Sequence, residues 1–234
     1  MGWLWLPLLG FGVGALGTLV GAGGGFMLVP LLLFMYPDDP PERITTISLA
    51  VVFLNALSGS LAYARQQRID VRSGLAFAAA AVPGAVVGAW AVRFVARGVF
   101  DAVFGLVLLA IALLIALRPT PRLQERKHRP GEWERTLVDR TGHRYRWSYR
   151  TEVGVALSFL VGFISSLLGI GGGIIHVPVL VMLLSFPIHV ATATSHFVLA
   201  ITAFAGTLTH VLSGEFGAAW SRTLRIGVGV VVGA

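Results

Sequence analysis

Gly21-Ala22-Gly23-Gly24-Gly25-Phe26-Met27-Leu28-Val29-Pro30 returns later in the chain as Gly169-Ile170-Gly171-Gly172-Gly173-Ile174-Ile175-His176-Val177-Pro178. The two stretches decide how the rest is read. Each lies inside an apolar segment of about 34 residues, Trp3 to Tyr36 and Glu152 to Phe186. A continuous helix of that length would reach roughly 50 Å, against a hydrocarbon core of about 30 Å. Three adjacent glycines each cost a helix about 1 kcal/mol relative to alanine. The expectation is a helix broken at membrane depth, with a second short helix after the break. The start of that second helix leaves N–H groups unpaired and carries a partial positive charge, which is how a protein holds an anion without a buried cation.

The match runs on downstream, one residue shorter. Thr45 aligns with Thr192, Ser48 with Ser195, Gly59 with Gly206 and Leu61 with Leu208. Gly84-Ala85-Val86-Val87-Gly88-Ala89 aligns with Gly229-Val230-Val231-Val232-Gly233-Ala234. Matches that keep order at a near-constant offset are the mark of an internal repeat. The expected fold is an all-α integral membrane protein of two homologous repeats, each of about four transmembrane helices with a glycine-broken first helix. The first repeat spans residues 1–118 and the second 151–234. The second stops where the first continues to Leu117, so it is expected to be incomplete.

Composition supports a membrane setting. Of 234 residues, 56% are hydrophobic and 12% are charged, where soluble domains carry about 25% charged residues. Apolar blocks over 44–63, 73–92, 100–117, 188–212 and 218–234 are long enough to span lipid, where only helices satisfy their own backbone. The first apolar segment lacks a basic leader and runs straight into more apolar sequence, so it reads as a membrane segment rather than a cleaved signal. The net charge of +7 does not point to nucleic acid. Ten of the 18 basic residues fall between Arg118 and Arg150 and the others mainly at the ends of apolar blocks, the pattern of cytoplasmic loops. If the loops Arg65–Arg72, 119–150 and the one holding Arg222 and Arg225 all face the cytoplasm, each repeat has four crossings, the repeats are parallel and both termini lie inside. Re-entrant folding of the glycine segments would change that count. Within the loop, Thr136 to Trp147 is open to two readings, a short β-hairpin or an unstructured basic linker.

Candidate binding groups follow from the breaks. Gly23, Gly24, Gly25, Gly171, Gly172 and Gly173 supply the backbone donors. Ser48, Asn55, Ser195 and His196 supply side-chain donors on the following helices. His176 and His196 are the candidates for proton coupling, since an ionisable group inside the membrane is a functional candidate by default. All eleven acidic residues lie in loops or at segment ends, which favours an anionic substrate over a cation. With no cysteine and no close histidine pair, a metal is not called for, and no cofactor is expected. No phosphate-binding Gly-x-x-x-x-Gly-Lys motif is present, which argues against direct use of ATP.

The duplicated Gly-x-Gly-Gly-Gly-x-x-x-x-Pro element, the Thr-x-x-Ser helix after it and Pro83-Gly84-x-x-x-Gly88-Ala89 resemble the TauE/SafE sulfite exporter family of membrane permeases. The resemblance covers nearly the whole chain outside the basic loop. It implies two repeats, counted as eight helices, a multi-pass inner or plasma membrane location, and secondary transport of sulfite, sulfonates or other small sulfur-containing or organic anions. The expected partners are therefore the anion and the bilayer, with self-association allowed, and the chain is not expected to be an enzyme. The rival reading is a membrane-embedded metal-handling factor or enzyme that uses the histidines.

Overall fold

The computed structural model describes residues 5–117 and 132–234, so residues 118–131, the first part of the basic loop, lie outside the described residues. The helices are α1 (Trp5–Val20), α2 (Gly25–Met35), α3 (Pro41–Arg65), α4 (Val71–Ala91), α5 (Arg97–Leu117), α6 (Thr151–Leu168), α7 (Gly173–Pro178), α8 (Ile188–Leu212) and α9 (Phe216–Gly233). A 3₁₀ turn over Val92–Phe94 extends α4, and a π-helical turn over Val179–Leu183 extends α7. The π turn follows Pro178, whose missing N–H removes a rung from the helical ladder. Five helices, α3, α4 with its 3₁₀ turn, α5, α6 and α8, are long and apolar enough to cross a membrane. On α5, Leu106, Leu109 and Leu117 are each at least 65% exposed, a surface that hydrocarbon satisfies and water does not.

Local chemistry sets the boundaries. Pro41 opens α3, where its missing N–H costs nothing. Asp70 caps α4 by accepting from the Ser73 N–H at 3.3 Å. Trp133–Val138 (β1) pairs antiparallel with Arg144–Tyr149 (β2), so the segment that sequence left open is a β-hairpin. Alternation puts Tyr145, Trp147 and Tyr149 on its inner face and Arg144 and Arg146 on its outer face.

Both glycine segments fold the chain back on itself. A Cβ at Gly24 would sit 2.6 Å from Val13 Cγ1 and 2.8 Å from the Val13 carbonyl, so the chain after the break returns along α1. A Cβ at Gly172 would meet the Ser165 hydroxyl at 2.9 Å, so the second break does the same along α6. Gly154, near the start of α6, packs on Leu184, just past the π turn. Thus α6 starts where its return limb ends.

Two faces can be assigned from the contacts. On the hairpin face, the Arg140 N–H donates to the Gln66 carbonyl at 3.1 Å, at the end of α3, and the Tyr145 ring lies 6.5 Å from that of His189, in the first turn of α8. On the opposite face, Arg93, after α4, donates to the Ser213 hydroxyl at 2.6 Å, just past α8. There Arg222 of α9 pairs with Asp39 and stands 3.8 Å over the Tyr36 ring. The first fold-back belongs to this opposite face. Tyr36 ends it there, and α1 runs in the same direction as α9, Gly10 on the Ile226 carbonyl and Gly14 on that of Val230.

These contacts overturn the expected topology. The Arg65–Arg72 loop and the Arg222–Arg225 segment do not share a face. The former touches the hairpin through Arg68 and Asp139, 3.3 Å apart, and the latter binds Asp39 across the membrane thickness. The cause is the re-entrant path of each broken segment, which adds no crossing and so reverses the direction of everything after it. Charge counting along loops cannot see this.

The helices pack through small residues. Gly84 and Gly88 lie on the Phe159 and Phe163 carbonyls of α6, and Gly162 lies on the Ala81 carbonyl of α4. The α1–α9 pair uses Gly10, Gly14, Gly229 and Gly233 in the same way. Such close backbone approach is how helices associate where lipid tails are as apolar as side chains.

Candidate functional site

The two breaks meet at the centre of the molecule. Gly23 and Gly171 both pack on Val52 and Leu199, the midpoints of the 25-residue helices α3 and α8. A Cβ at Gly25 would fall 2.5 Å from the Ile170 carbonyl, and one at Gly173 would fall 2.6 Å from the Ala22 Cα. Gly24 and Gly172 begin the second limbs with φ of 79° and 83°, a left-handed conformation that side chains rarely adopt. The N–H groups of Gly24, Gly25 and Phe26, and of Gly172, Gly173 and Ile174, receive no backbone carbonyl among the described residues.

The surroundings of the two breaks differ. Beside glycines 171–173 lies a cavity of about 10 Å³, room for about one water, lined by Ser158, Ser165, His176, Ser195 and Thr202. The hydroxyls of Ser165 and Ser195 are buried and, among the described residues, have no hydrogen-bond partner. Ser158 donates to the Gly154 carbonyl at 2.7 Å and stands 3.4 Å from His176 Nε2. Thr202 donates back to Val198 and Leu199 of its own helix, at 3.1 and 3.2 Å, and keeps only acceptor capacity. No acidic or basic side chain apart from His176 lines this cavity.

The first break faces a separate cluster. Asn55 accepts from the Thr18 hydroxyl at 2.6 Å, and its amide nitrogen is buried without a partner. His196 is fully buried, with its ring edge-on to Tyr63 at 5.5 Å between centroids. It lies by the Gly21 and Thr192 backbones, yet neither ring nitrogen reaches good hydrogen-bond geometry. The Tyr63 hydroxyl donates to the Thr18 carbonyl at 3.2 Å. This cluster is tight: a Cβ on Gly59 would lie 2.6 Å from the His196 ring.

Of the residues singled out from sequence, glycines 171–173, Ser195 and His176 share one cavity. Asn55 and His196 stand apart from it, beside the first break. Ser48 lines neither, because its hydroxyl donates to the Gly169 carbonyl at 2.6 Å and fixes the second break to α3. Sequence reasoning did not single out Ser158 and Ser165 of α6, which line the cavity. Their seven-residue spacing on one helix face, upstream of the glycine run, was the available signal. Among the described residues, no three histidine or acidic side chains converge to hold a metal ion, so the histidine-metal rival finds no site.

Residues 6–234 match the family described as Sulfite exporter TauE/SafE. The probable membrane transporter protein YunE of Bacillus subtilis is 34% identical over 221 residues, covering 92% of this chain and 80% of that protein. A probable membrane transporter protein of Methanocaldococcus jannaschii is 29% identical over 223 residues, 92% of this chain and 75% of that one. No solved structure matches. The chain belongs to the TauE/SafE sulfite exporter family and is a multi-pass membrane transporter.

Proposed function

We propose that this protein is a secondary permease of small sulfur oxyanions, sulfite or a sulfonate, held at the second glycine break. The observation that carries this is the pair of unpartnered buried hydroxyls, Ser165 and Ser195, beside the unpaired N–H groups of a glycine-started helix, in a cavity with no carboxylate. Unsatisfied buried donors cost free energy, and an oxyanion with several acceptor oxygens relieves that cost. A hydrogen bond to a charged group contributes about 1.5–3 kcal/mol, so two hydroxyls contribute about 3–6 kcal/mol and, with the helix start, place binding at roughly millimolar to tens of micromolar.

His196 and Asn55 have a different role in this proposal. Neither residue lines the anion cavity, and the His196 ring is packed tightly against Gly59, which leaves an anion no room between them, whereas a proton needs none. Protonation would give His196 a second N–H to offer to the neighbouring backbone of Gly21 and Thr192. His176, which lines the anion cavity, is the other proton-coupling candidate.

The architecture we infer is two repeats of opposite orientation, 1–118 and 151–234, joined by a cytoplasmic loop. Contacts that exchange partners support it: Gly21 meets Thr192 while Gly169 meets Thr45, and α1 packs on α9 while α6 packs on α4. Eight arginines of the described residues cluster at the hairpin face, from Arg65, Arg68 and Arg72 to Arg150, which favours that face as cytoplasmic.

Uptake into proteoliposomes of purified protein tests the assignment, with sulfite, a sulfonate, thiosulfate and a carboxylate compared side by side. Saturable uptake of a sulfur oxyanion that falls at least tenfold in Ser165→Ala/Ser195→Ala is expected. Equal uptake by the double variant refutes the site.

A further inference from the structure

The hairpin is docked against the helices rather than free, and a chain of aromatic contacts joins it to the anion cavity. From His176, the Phe77 ring lies 5.9 Å away. Phe77 in turn contacts Tyr149 of β2 at 5.8 Å and Phe186 at 6.1 Å, and Phe186 contacts Trp147 at 5.1 Å. A chain of ring contacts thus runs from His176 at the cavity to the hairpin, and its last two rings, Trp147 and Tyr149, belong to the hairpin.

Polar anchors hold it there. Arg135 of β1 pairs with Asp70, which also accepts from the Ser73 hydroxyl, and that hydroxyl lies 2.6 Å from the Tyr149 hydroxyl. The Asp70 N–H donates to the Thr194 hydroxyl at 3.0 Å, one residue from Ser195 of the cavity. At the other end, Arg68 pairs with Asp139, and the Arg140 N–H meets the Gln66 carbonyl.

We propose that the β-hairpin is a lid on the transport path: docked, it seals the hairpin-face mouth of the second fold-back, and it must lift for the anion to pass. This rests on the oxyanion reading of the cavity. Three observations bear on it. The cavity under the docked hairpin holds only about one water, so an oxyanion cannot reach Ser165 and Ser195 without a rearrangement. The anchors are ion pairs whose arginines, Arg68 and Arg135, reach water, so they can exchange for solvent. The buried indole N–H of Trp147 has no partner among the described residues, and lifting the hairpin hydrates it.

The chain has no cysteine, so thiols can be placed at will. Gln66 and Arg140 touch through their backbones, outside the cavity, and the pair Gln66→Cys/Arg140→Cys should form a disulfide that locks the lid. Expected is sulfite uptake at least tenfold lower in the oxidised pair, restored by reductant, with each single variant unaffected by oxidation. Oxidised, fully cross-linked protein that transports at the reduced rate overturns the lid, as does failure of the disulfide to form. A second measurement does not depend on transport. His176→Cys should react with a membrane-impermeant anionic thiol reagent several-fold faster when Arg135→Ala is added. An unchanged rate also overturns the lid. Absence of anion uptake by the unmodified chain would instead strike the permease proposal, leaving the labelling result to decide the lid.

Discussion

Adding one methyl group where the two breaks touch is the sharpest structural perturbation available. In Gly173→Ala the new Cβ would lie 2.6 Å from Ala22 Cα and 2.7 Å from the Gly21 carbonyl oxygen. Carbon contacts are comfortable near 3.5–4.0 Å, so the two breaks must part by about 1 Å. Both obstacles are backbone, and neither can rotate away. Overpacking of this kind costs about 1–3 kcal/mol, while alanine in place of helical glycine returns at most about 1 kcal/mol. The expected net loss is about 1–2 kcal/mol, read as a melting temperature lowered by about 2–8 °C for a chain of this size. Gly25→Ala presses on the Ile170 carbonyl from the other side and should cost the same. Once one methyl has parted the breaks, the second meets less resistance, so the double variant should lose less than the sum of the singles. Gly12→Ala, with nothing within 4 Å of its built Cβ, is the control and should be neutral or slightly stabilising. The assay is thermal unfolding in detergent, paired with uptake. Full stability in Gly173→Ala, or strict additivity in the double variant, refutes the contact between the breaks.

Other expectations follow from single contacts. Ser48→Ala leaves the buried Gly169 carbonyl without its donor and should lower stability by about 1–3 kcal/mol, measured by the same unfolding assay. Gly172→Leu, strained at a φ of 83° and driven against Ser165, should abolish uptake while membrane insertion is retained; wild-type flux would refute the role of the break. In the hairpin, the Thr141 hydroxyl, with the backbone N–H groups of His143 and Thr141 and the Arg68 guanidinium, outweighs burial and holds the Asp139 carboxyl down at about 2. A depressed carboxyl stabilises the folded form above its unfolded value near 3.8, and that contribution is lost as pH falls from there toward 2. Protection of the hairpin turn from hydrogen exchange, taken relative to the intrinsic rate at each pH, should thus stay constant down to about pH 4 and fall below it, and Asp139→Asn should remove that dependence; a fall already centred above pH 5 would contradict it.

The interruptions were legible because glycine triplets inside overlong apolar segments leave a helix no other course. The doubled motif gave the position of the two breaks for the same reason. Direction was not legible. Whether a broken segment continues across or returns depends on what Gly24 and Gly172 pack against, Val13 and Ser165, and no local pattern states that. The lining of the candidate cavity was half legible. Ser195 and His176 stood out as polar groups in apolar runs, but Ser165 did not, since serine on a membrane helix is usually spent on its own backbone. Ser48 illustrates the converse: the sequence match pairs it with Ser195, yet its hydroxyl is taken up by the Gly169 carbonyl.

Everything functional here turns on whether a small oxyanion occupies the space between Ser165, Ser195 and the 171–173 glycines. Calorimetric titration of sulfite into detergent-purified protein measures this without relying on flux. The account predicts one saturable site, weakened about tenfold by Ser165→Ala or Ser195→Ala and little changed by Ser48→Ala. Binding that is indifferent to both cavity serines, or weakened equally by Ser48→Ala, would contradict it.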